Sequence, residues 1–393
     1  MHDLQQLLFT ASSAGHAPQL IEGVGASTAL GQSVAGSPPR VLVVASRRTV
    51  EEVPAVAAMI RAGAHHYHRT RPNPSLGDAL DLSQALEEVR PQAILAVGGG
   101  SAIDQAKAGR LLKADPRLVD SALRGRPSSL RQDPPLLIAV PTTAGTGAEM
   151  TPFATLYRGS SKVSLDLPRC RPDLAVLDGL LTAKCPDKHS LAAALDAMCH
   201  SIESGWSTAS TPTSRLYAHA ARDHLLTCLA HCDPSLPEVP RWAAEDPQTA
   251  AWRHMLLMSA AVAGVAIAQT RTTGAHAFAY HLTAQYGVPH GFACAASMSW
   301  IGSQIQERQP EVLEDATRAA IQTLRRHLDG AQAARLLRLP ALDRPALEEY
   351  VDAGLDVRSR MATHPVPLPR TDAIRHIMAD GRLVAAAGSP LPA

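Results

Sequence analysis

Short apolar runs alternate with helical stretches along the first 180 residues of the chain. Four runs are short, rich in Val, Ile and Leu, and bounded by turn residues, which predicts buried strands. They are RVLVVAS (residues 40–46), QAILAVGGGS (92–101), PPLLIAVPTTAGTGAEM (134–150) and PDLAVLDG (172–179). The helical patterns VEEVPAVAAMIRAG (50–63) and AIDQAKAGRLLKA (102–114) follow the first two. Such alternation is typical of βα units on a mostly parallel sheet, so we predict an α/β domain over residues 1–184.

The pattern changes after residue 184, where long Ala- and Leu-rich stretches keep helical spacing and few β-branched alternations occur. Pro186 and the polar residues around it mark a boundary, because proline interrupts regular structure. We predict an all-α C-terminal domain over residues 185–393.

The composition agrees with two globular domains, since 393 residues exceed the usual size of one domain and 46% of them are hydrophobic. The 37 basic and 36 acidic side chains nearly cancel, so no net field favours nucleic acid or anionic lipid, and we expect neither as a partner. No run of about eighteen uninterrupted apolar residues occurs, and the N-terminal segment lacks the pattern of a secretory leader. We therefore expect a cytoplasmic protein that does not span a membrane.

Six cysteines are scattered along the chain without a CxxC pair, which predicts reduced thiols. The segment HAARDHLLTCLAHC could be drawn as a zinc cluster, since it holds His219, His224, Cys228, His231 and Cys232. The same spacing fits an amphipathic helix in which cysteine is a small apolar residue, and this is our interpretation.

Gly98, Gly99 and Gly100 lie where a predicted strand runs into a helix. Free backbone N–H groups at a helix start attract phosphate, and glycine lets a pyrophosphate approach without a Cβ in the way. An alternative that needs no ligand is a capping pair formed by Ser101 and Asp104.

A second loop of small residues, PTTAGTGAEMT, follows the next strand and offers the hydroxyl groups of Thr142, Thr143 and Thr146. Open parallel sheets bind ligands at the carboxyl edge of their strands. Two such loops side by side predict a dinucleotide site.

Asp196 and His200 are four residues apart in SLAAALDAMCHSIESGW, which has a helical pattern. Both side chains then project from one face about one turn apart, which suits two ligands of one metal ion. The alternative is a surface or capped aspartate with a core histidine.

His276 and His290 belong to the segment GAHAFAYHLTAQYGVPHG. A straight helix would separate them by about 21 Å, too far to share an ion, but Gly287 and Pro289 can reverse the chain just before His290. One carboxylate and three imidazoles suit Fe(II) or Zn(II). His281, five residues after His276, falls on a different face and is not counted as a ligand.

The motifs GGGSAIDQAK, PTTAGTGAEMT, LDAMCHSIES and HAFAYHLTAQYGVPHG, in this order, resemble those of the iron-containing (group III) alcohol dehydrogenases. The resemblance implies the dehydroquinate synthase-like fold, with a dinucleotide-binding domain over residues 1–184 and a metal-binding domain over residues 185–393. It also implies an iron-dependent, NAD(P)H-linked oxidoreductase and a homodimer or larger assembly. It implies that the metal ligands are Asp196, His200, His276 and His290. Its cofactor contacts fall on Gly98, Gly99, Ser101, Asp104, Thr142, Thr143 and Lys162, and Lys162 is also a candidate catalytic residue.

Two positions depart from the pattern of that family. Tyr280 stands where many members have a second histidine for proton transfer, so the product alkoxide would be protonated through Tyr280, His281 or solvent. Ser46 stands where many NAD-using members have an acidic residue, and Arg47 and Arg48 follow it. The arginines could pair with a 2′-phosphate, which favours NADPH over NADH, although a solvated loop is the alternative.

A narrower resemblance concerns the substrate. TRTTGAHAFAY, SKVSLDLP and AALDAMCHSIES are similar to segments of the phosphonoacetaldehyde reductases of phosphonate antibiotic biosynthesis, which form 2-hydroxyethylphosphonate. A phosphonate dianion needs a cationic anchor, for which Arg271 and Arg158 are candidates, while a structural ion pair is the alternative for Arg271.

Three other functions are compatible with these motifs. A dehydrogenase for another small alcohol or diol would share every motif and differ only in the pocket. A non-redox lyase or synthase on the same scaffold would use the cofactor transiently. A binding module without activity is the third, and it gives no reason for a metal set beside two phosphate loops.

Overall fold

The computed structural model describes residues 1–32, 40–115, 117–118, 133–159, 161–232, 235 and 247–384. Its strands all lie in the first half of the chain. They are β1 (Gln19–Glu22), β2 (Val41–Val44), β3 (His65–Tyr67), β4 (Ala93–Gly98), β5 (Leu136–Pro141), β6 (Phe153–Arg158), β7 (Ser161–Asp166) and β8 (Leu174–Leu177). The helices of the same half are α1 (His2–Ser13), α2 (Thr28–Gln32), α3 (Arg47–Glu52), α4 (Pro54–Arg61), α5 (Leu76–Val89) and α6 (Gly100–Ala114).

Six strands form one parallel sheet in the order β1-β8-β5-β4-β2-β3. Successive residues of a strand point to opposite faces, and both faces of this sheet are covered. Val43 and Val97 pack in one cluster with residues of α4, whereas Val44 and Ile94 pack in another with residues of α5 and α6. This arrangement confirms the predicted α/β fold, in which buried parallel strands read as continuous apolar runs.

The helix predicted after β2 is two helices in the structure. Helix α3 ends at Glu52 and α4 begins at Pro54, and Val53 between them is extended, with φ −120° and ψ 91°. A residue before proline is pushed out of the helical region, and proline itself has no N–H to donate. The continuous helical prediction over residues 50–63 was therefore wrong at this break.

Four strands were not predicted from the apolar pattern. β1 and β3 are the edge strands of the sheet, and only one of the seven residues in the two strands is fully buried. β6 and β7 form a separate antiparallel hairpin. Partly exposed strands lack the continuous apolar runs that identify the central strands.

Among its described residues, the second half of the chain has helices joined by turns and loops, and no strand apart from an isolated bridge between Leu342 and Val384. This confirms the all-α prediction. The helices are α7 (Asp187–Trp206), α8 (Pro212–Ala230), α9 (Pro247–Thr270), α10 (Gly274–Tyr286), α11 (His290–Arg308), α12 (Asp315–Asp329), α13 (Ala331–Leu336), α14 (Arg344–Leu355), α15 (Arg358–Met361) and α16 (Arg370–Asp380).

The chain divides by its contacts into two compact units. The first is Met1–Cys185 with Trp242–Ala268, and the second is Pro186–Arg241 with Gln269–Ala393. The first unit therefore gives way to the second at Pro186, next to the boundary predicted after residue 184. Most of α9, however, belongs to the first unit. Glycine makes this packing possible, because a Cβ on Gly264 of α9 would lie 2.9 Å from the Cα of Gly147. The assignment of residues 1–184 to cofactor binding and 185–393 to metal binding stays a prediction.

Helix α9 is long and apolar. Its segment Gln248–Thr270 has a mean hydropathy of 1.4, enough by length and composition to cross a membrane, but 83% of its most apolar window is buried inside the structure. A helix buried in this way is typical of a protein core.

The histidines and cysteines of residues 219–232 lie on α8 and the turn after it. Cys228 and Cys232 are buried, and His231 Nδ1 is 2.8 Å from the carbonyl oxygen of Thr227. The described part of the chain holds one group of side chains placed to share an ion, and it does not include these residues. The amphipathic-helix interpretation is confirmed, and all six cysteines are free thiols.

Candidate metal centre

Helix α7 presents Asp196 and His200 on one buried face. Their side chains are 5% and 7% exposed, and His200 Nε2 lies 3.8 Å from Asp196 Oδ1. The helix starts directly after Pro186 and is rich in Ala and Leu, both strong helix formers. The predicted spacing of one turn is what brings the two groups together.

The chain reverses between His276 and His290. Helix α10 ends at Tyr286, and Gly287 caps it in the left-handed conformation with φ 64°. Pro289 precedes the first residue of α11, which is His290. The reversal predicted from Gly287 and Pro289 is confirmed.

Gly291 allows α11 to approach α7 closely. A Cβ at this position would lie 1.7 Å from the carbonyl oxygen of Ala192 and 3.1 Å from the Cβ of Asp196. Only glycine fits such a contact. The contact brings His290, the preceding residue, next to Asp196.

Asp196 Oδ1 is the common neighbour of three imidazoles. It lies 3.3 Å from Nε2 of His276, 3.8 Å from Nε2 of His200 and 3.9 Å from Nε2 of His290. The rings of His200 and His276 are stacked at 4.6 Å, and those of His276 and His290 are nearly perpendicular at 5.3 Å. The structure thus brings the ligand atoms of Asp196, His276 and His290 within 4.8 Å of one another, and it places His200 beside Asp196 but outside that group.

Glu203, two turns after Asp196 on α7, holds His276 from the other side. Its side chain is fully buried and accepts hydrogen bonds from His276 Nδ1 and from the backbone N–H groups of Thr273 and Ala275, the latter at 3.1 and 2.8 Å. A carboxylate bonded to one ring nitrogen fixes the tautomer and orientation of the ring. Sequence analysis missed Glu203, although its seven-residue spacing from Asp196 places it on the same helix face.

The buried atoms of this group fit a divalent cation. Asp196 Oδ1 and His276 Nε2 are buried and have no hydrogen-bond partner among the described residues. Leaving such atoms unsatisfied is costly, and a shared cation would satisfy both. Burial by itself raises the pKa of Asp196. The positive charges of His200 and His290 together lower it by more, so the pKa of Asp196 lies well below its usual range. Asp196 is therefore a carboxylate, the form that binds metal.

Cys294 joins this group, which sequence analysis did not predict. Its ligand atom and those of Asp196, His276 and His290 all lie within 4.8 Å of one another. Sγ is 3.7 Å from Nε2 of His290, one turn earlier on α11. Burial raises the pKa of the thiol to about 12, so the free group keeps its proton. The missed signal was the four-residue spacing from a predicted ligand.

The two candidates for proton transfer lie in different surroundings. The ring of Tyr280 stacks on His290 with centroids 6.0 Å apart, and its hydroxyl oxygen accepts a hydrogen bond from Arg360 Nε at 3.3 Å. The ring of His281 instead packs beside Tyr350, at 6.1 Å. Tyr280 is thus the one in contact with a predicted ligand, and Arg360 is a neighbouring cation that sequence analysis missed.

The two predicted anion anchors also differ in their placement. Arg271 is half-buried between α9 and α10, in the left-handed conformation with φ 63°. Few residues other than glycine adopt this conformation, so the site constrains the backbone here. Arg158 is exposed at the end of β6, where it pairs with Ser161 of β7.

In the first unit, the two predicted phosphate loops lie side by side. Thr142 N donates to the carbonyl oxygen of Gly98 at 2.9 Å. A Cβ on Gly99 would lie 3.3 Å from Thr143 Oγ1, and one on Gly100 would lie 2.6 Å from Thr146 Oγ1. Helix α6 begins at Gly100 with no side-chain cap. Uncapped N–H groups beside a glycine surface fit a pyrophosphate.

The capping alternative for Ser101 and Asp104 was wrong. The N-cap of α6 is Gly99, Ser101 Oγ accepts from the N–H of Asn73 at 3.2 Å, and Asp104 accepts from the N–H of Thr155 at 2.9 Å. Asp104 therefore ties α6 to the β6–β7 hairpin.

The remaining predicted cofactor residues lie on α3 and β7. Ser46 caps α3 by accepting from the N–H of Thr49, and Arg47 is exposed with Nη2 3.4 Å from His68 Nε2. Arg48 pairs with Glu52 at 2.8 Å, and both arginines belong to helix α3 rather than to the solvated loop of the alternative interpretation. Lys162 lies in β7, and its side chain is outside the described part of the structure.

Comparisons of sequence and of structure with known proteins point to the same family. Residues 17–179 match the iron-containing alcohol dehydrogenase profile, and residues 190–339 match that of the C-terminal region of the Fe-containing alcohol dehydrogenase family. The solved iron-containing alcohol dehydrogenase of Thermococcus thioreducens superposes with a TM-score of 0.77 at 22% identity, over 93% of this chain and 98% of that one. At this identity the likeness shows the fold.

Two curated relatives are similar in sequence. The phosphonoacetaldehyde reductase of Streptomyces viridochromogenes is 37% identical over 224 residues, 55% of this chain and 54% of that protein. The probable alcohol dehydrogenase EutG of Salmonella typhimurium is 33% identical over 224 residues, 56% of this chain and 53% of that protein. The chain thus spans about half the length of these curated relatives.

Proposed function

The chain belongs to the iron-containing alcohol dehydrogenase family, and we propose that it is a metal-dependent, NAD(P)H-linked reductase that converts phosphonoacetaldehyde to 2-hydroxyethylphosphonate. The convergence of three imidazoles on Asp196 Oδ1 carries the proposal of metal-dependent chemistry. The 37% identity to a phosphonoacetaldehyde reductase supports the substrate.

Each part of the chain has a defined task in this reaction. Asp196, His200, His276 and His290 hold the ion, and Glu203 keeps the ring of His276 turned toward it. The glycines at the start of α6 admit the pyrophosphate of the cofactor. When bound, the ion supplies a Lewis acid for a carbonyl oxygen and the reduced nicotinamide supplies a hydride. The hydroxyl of Tyr280 is the proposed proton donor for the product alkoxide.

Arg360 supports an anionic substrate. Its Nε donates to the hydroxyl of Tyr280, and the Tyr280 ring stacks on His290, so a guanidinium lies close to the proposed metal centre. A guanidinium suits a phosphonate because it can donate two parallel hydrogen bonds to its oxygens. We propose Arg360 as an anchor for the phosphonate group, in addition to the predicted Arg271. Arg158 is a weaker candidate because it is exposed on a hairpin of the first unit.

We propose Fe(II) as the ion, with Zn(II) accepted by the same ligands, and NADPH as the preferred cofactor. Arg47 carries the NADPH proposal, since it is exposed at the start of α3 beside His68, whereas Arg48 is already paired with Glu52. A cytoplasmic location, from the sequence patterns and the scattered cysteines, and a homodimer or larger assembly, from the family resemblance, complete the proposal.

A second candidate is a dehydrogenase for an uncharged small alcohol or diol, which the 33% identity to a probable alcohol dehydrogenase favours. It shares the metal and cofactor sites and needs no anion anchor. No feature of the described residues favours a non-redox lyase or synthase, or a binding module without activity.

An NADPH-oxidation assay with Fe(II)- or Zn(II)-loaded protein tests the proposal. We expect kcat/KM for phosphonoacetaldehyde to exceed that for an uncharged aldehyde of similar size by about tenfold or more, since a charge-assisted anchor contributes on that scale. Arg360→Gln should remove most of this preference, and Arg375→Gln, a surface change on α16, should keep it. Equal efficiency with both aldehydes would contradict the phosphonate substrate. Absence of oxidation with every aldehyde would contradict the reductase itself.

A further inference from the structure

Cys294 lies in the proposed metal centre rather than in the apolar core around it. Its Sγ is within 4.8 Å of the ligand atoms of Asp196, His276 and His290, and it lies 3.7 Å from His290 Nε2. Helical spacing produces this position, since residues four apart on α11 project from the same face.

The surrounding atoms indicate a ligand rather than a packed thiol. Asp196 Oδ1 and His276 Nε2 are buried atoms without hydrogen-bond partners among the described residues, and both belong to the same group as Sγ. Asp196 and His276 are 4% and 2% exposed as residues, so bulk water does not satisfy these atoms. A sulfur that faces two such atoms is placed to share a metal ion with them.

We propose that Cys294 is a sulfur ligand of the metal ion, beside Asp196, His276 and His290. This inference rests on the proposed metal dependence. On binding, the S–H bond breaks, a metal–sulfur bond forms, and the proton leaves to the buffer, with no change of oxidation state. A thiolate is a soft ligand, so the centre should favour Zn(II), Co(II) and Fe(II) over Mg(II) and Mn(II).

Cobalt substitution tests the ligand directly, because a thiolate bound to Co(II) gives a near-ultraviolet charge-transfer absorption that oxygen and nitrogen ligands do not give. The probe is Co(II) added to the metal-free chain of 393 residues, and the visible ligand-field bands report binding itself. Three variants are compared with the wild type: Cys294→Ala, Cys294→Ser and Cys228→Ala. Cys228 is a matched control, because it is a buried helical cysteine outside the group.

We expect the charge-transfer band in the wild type and in Cys228→Ala, and its loss in both Cys294 variants. Visible bands without the charge-transfer band in the wild type would overturn the sulfur ligand and leave the metal centre standing. Retention of the charge-transfer band in either Cys294 variant would overturn it as well. Absence of any Co(II) binding by the wild type would overturn the metal centre together with the ligand.

Discussion

Glu203 and His276 form a fully buried pair in which the carboxylate accepts a hydrogen bond from Nδ1. Nε2 of the same ring then faces Asp196 Oδ1 at 3.3 Å. Thr273 supplies two further hydrogen bonds to Glu203, one from its backbone N–H and one from its hydroxyl group. The first turn of α10 and the orientation of a proposed ligand are therefore set by one carboxylate.

Replacement of that carboxylate should weaken metal binding. Glu203→Gln keeps the shape, but its amide group cannot accept all the hydrogen bonds that the carboxylate accepts. We expect the affinity for Zn(II) to fall by about 10- to 100-fold, the usual effect of losing a ligand's partner. Competition with a chelator measures the affinity, and Glu311→Gln, at an exposed position, is the control. Unchanged affinity in a folded Glu203→Gln protein would limit Glu203 to a structural role.

A methyl group at the start of α6 should impair cofactor binding. The Cβ of Gly100→Ala would lie 2.6 Å from Thr146 Oγ1, so the Thr146 side chain in the second loop must shift. We expect the Kd for NADPH, from fluorescence titration, to rise by about tenfold or more, since the loops form the proposed phosphate surface. Gly77→Ala is the matched control, because its Cβ would meet only Ser75 Oγ, at 3.5 Å. Equal affinities for NADPH in the two variants would contradict a role of the glycine turn in cofactor binding.

Removal of one hydroxyl group tests the proton route. Tyr280→Phe keeps the ring that stacks on His290 and loses the oxygen that Arg360 contacts. We expect kcat to fall by about 100-fold with metal content retained, within the usual range for loss of a general acid. His281→Phe, on the neighbouring position, should change kcat much less. A normal kcat for Tyr280→Phe would assign the tyrosine to packing.

The stability of the first unit should depend on pH through Glu149. Burial raises the pKa of Glu149 to about 7, although Lys107 lowers it in part. A raised pKa means that the stabilising contribution of the neutral acid is complete below the unfolded value and is lost as pH rises through about 7. The free energy of unfolding should therefore fall between about pH 5 and pH 8 in the wild type relative to Glu149→Gln. Denaturant unfolding measures the free energy of unfolding of both proteins at each pH. The same pH dependence in the two proteins would contradict the raised pKa of Glu149.

The central strands and the site helices could be predicted from the sequence because their signals are local. A buried parallel strand is a continuous apolar run, and two polar residues four apart on a helix must share a face. The reversal before His290 was also readable, since Gly287 and Pro289 each restrict the backbone in a known way.

Other parts depend on tertiary contacts that no local pattern reveals. The break at Pro54 falls inside an otherwise helical pattern, and the packing of α9 with the first unit depends on its contact at Gly147. Cys294 and Glu203 resemble ordinary core residues in sequence. Their helical spacing from His290 and Asp196 places them on the ligand faces, but such spacing is common among core residues, and the contacts with His290 and His276 distinguish them.

The central claim is that Asp196 and its three imidazole neighbours hold one divalent ion. Elemental analysis of protein reconstituted with Fe(II) or Zn(II) measures it most directly, with Asp196→Ala compared with Asp315→Ala, a change at a fully exposed carboxylate. We predict about one ion per chain in the wild type and in Asp315→Ala, and less than about a tenth of that in Asp196→Ala, because the shared negative ligand is lost. Equal metal content in all three proteins would contradict the claim.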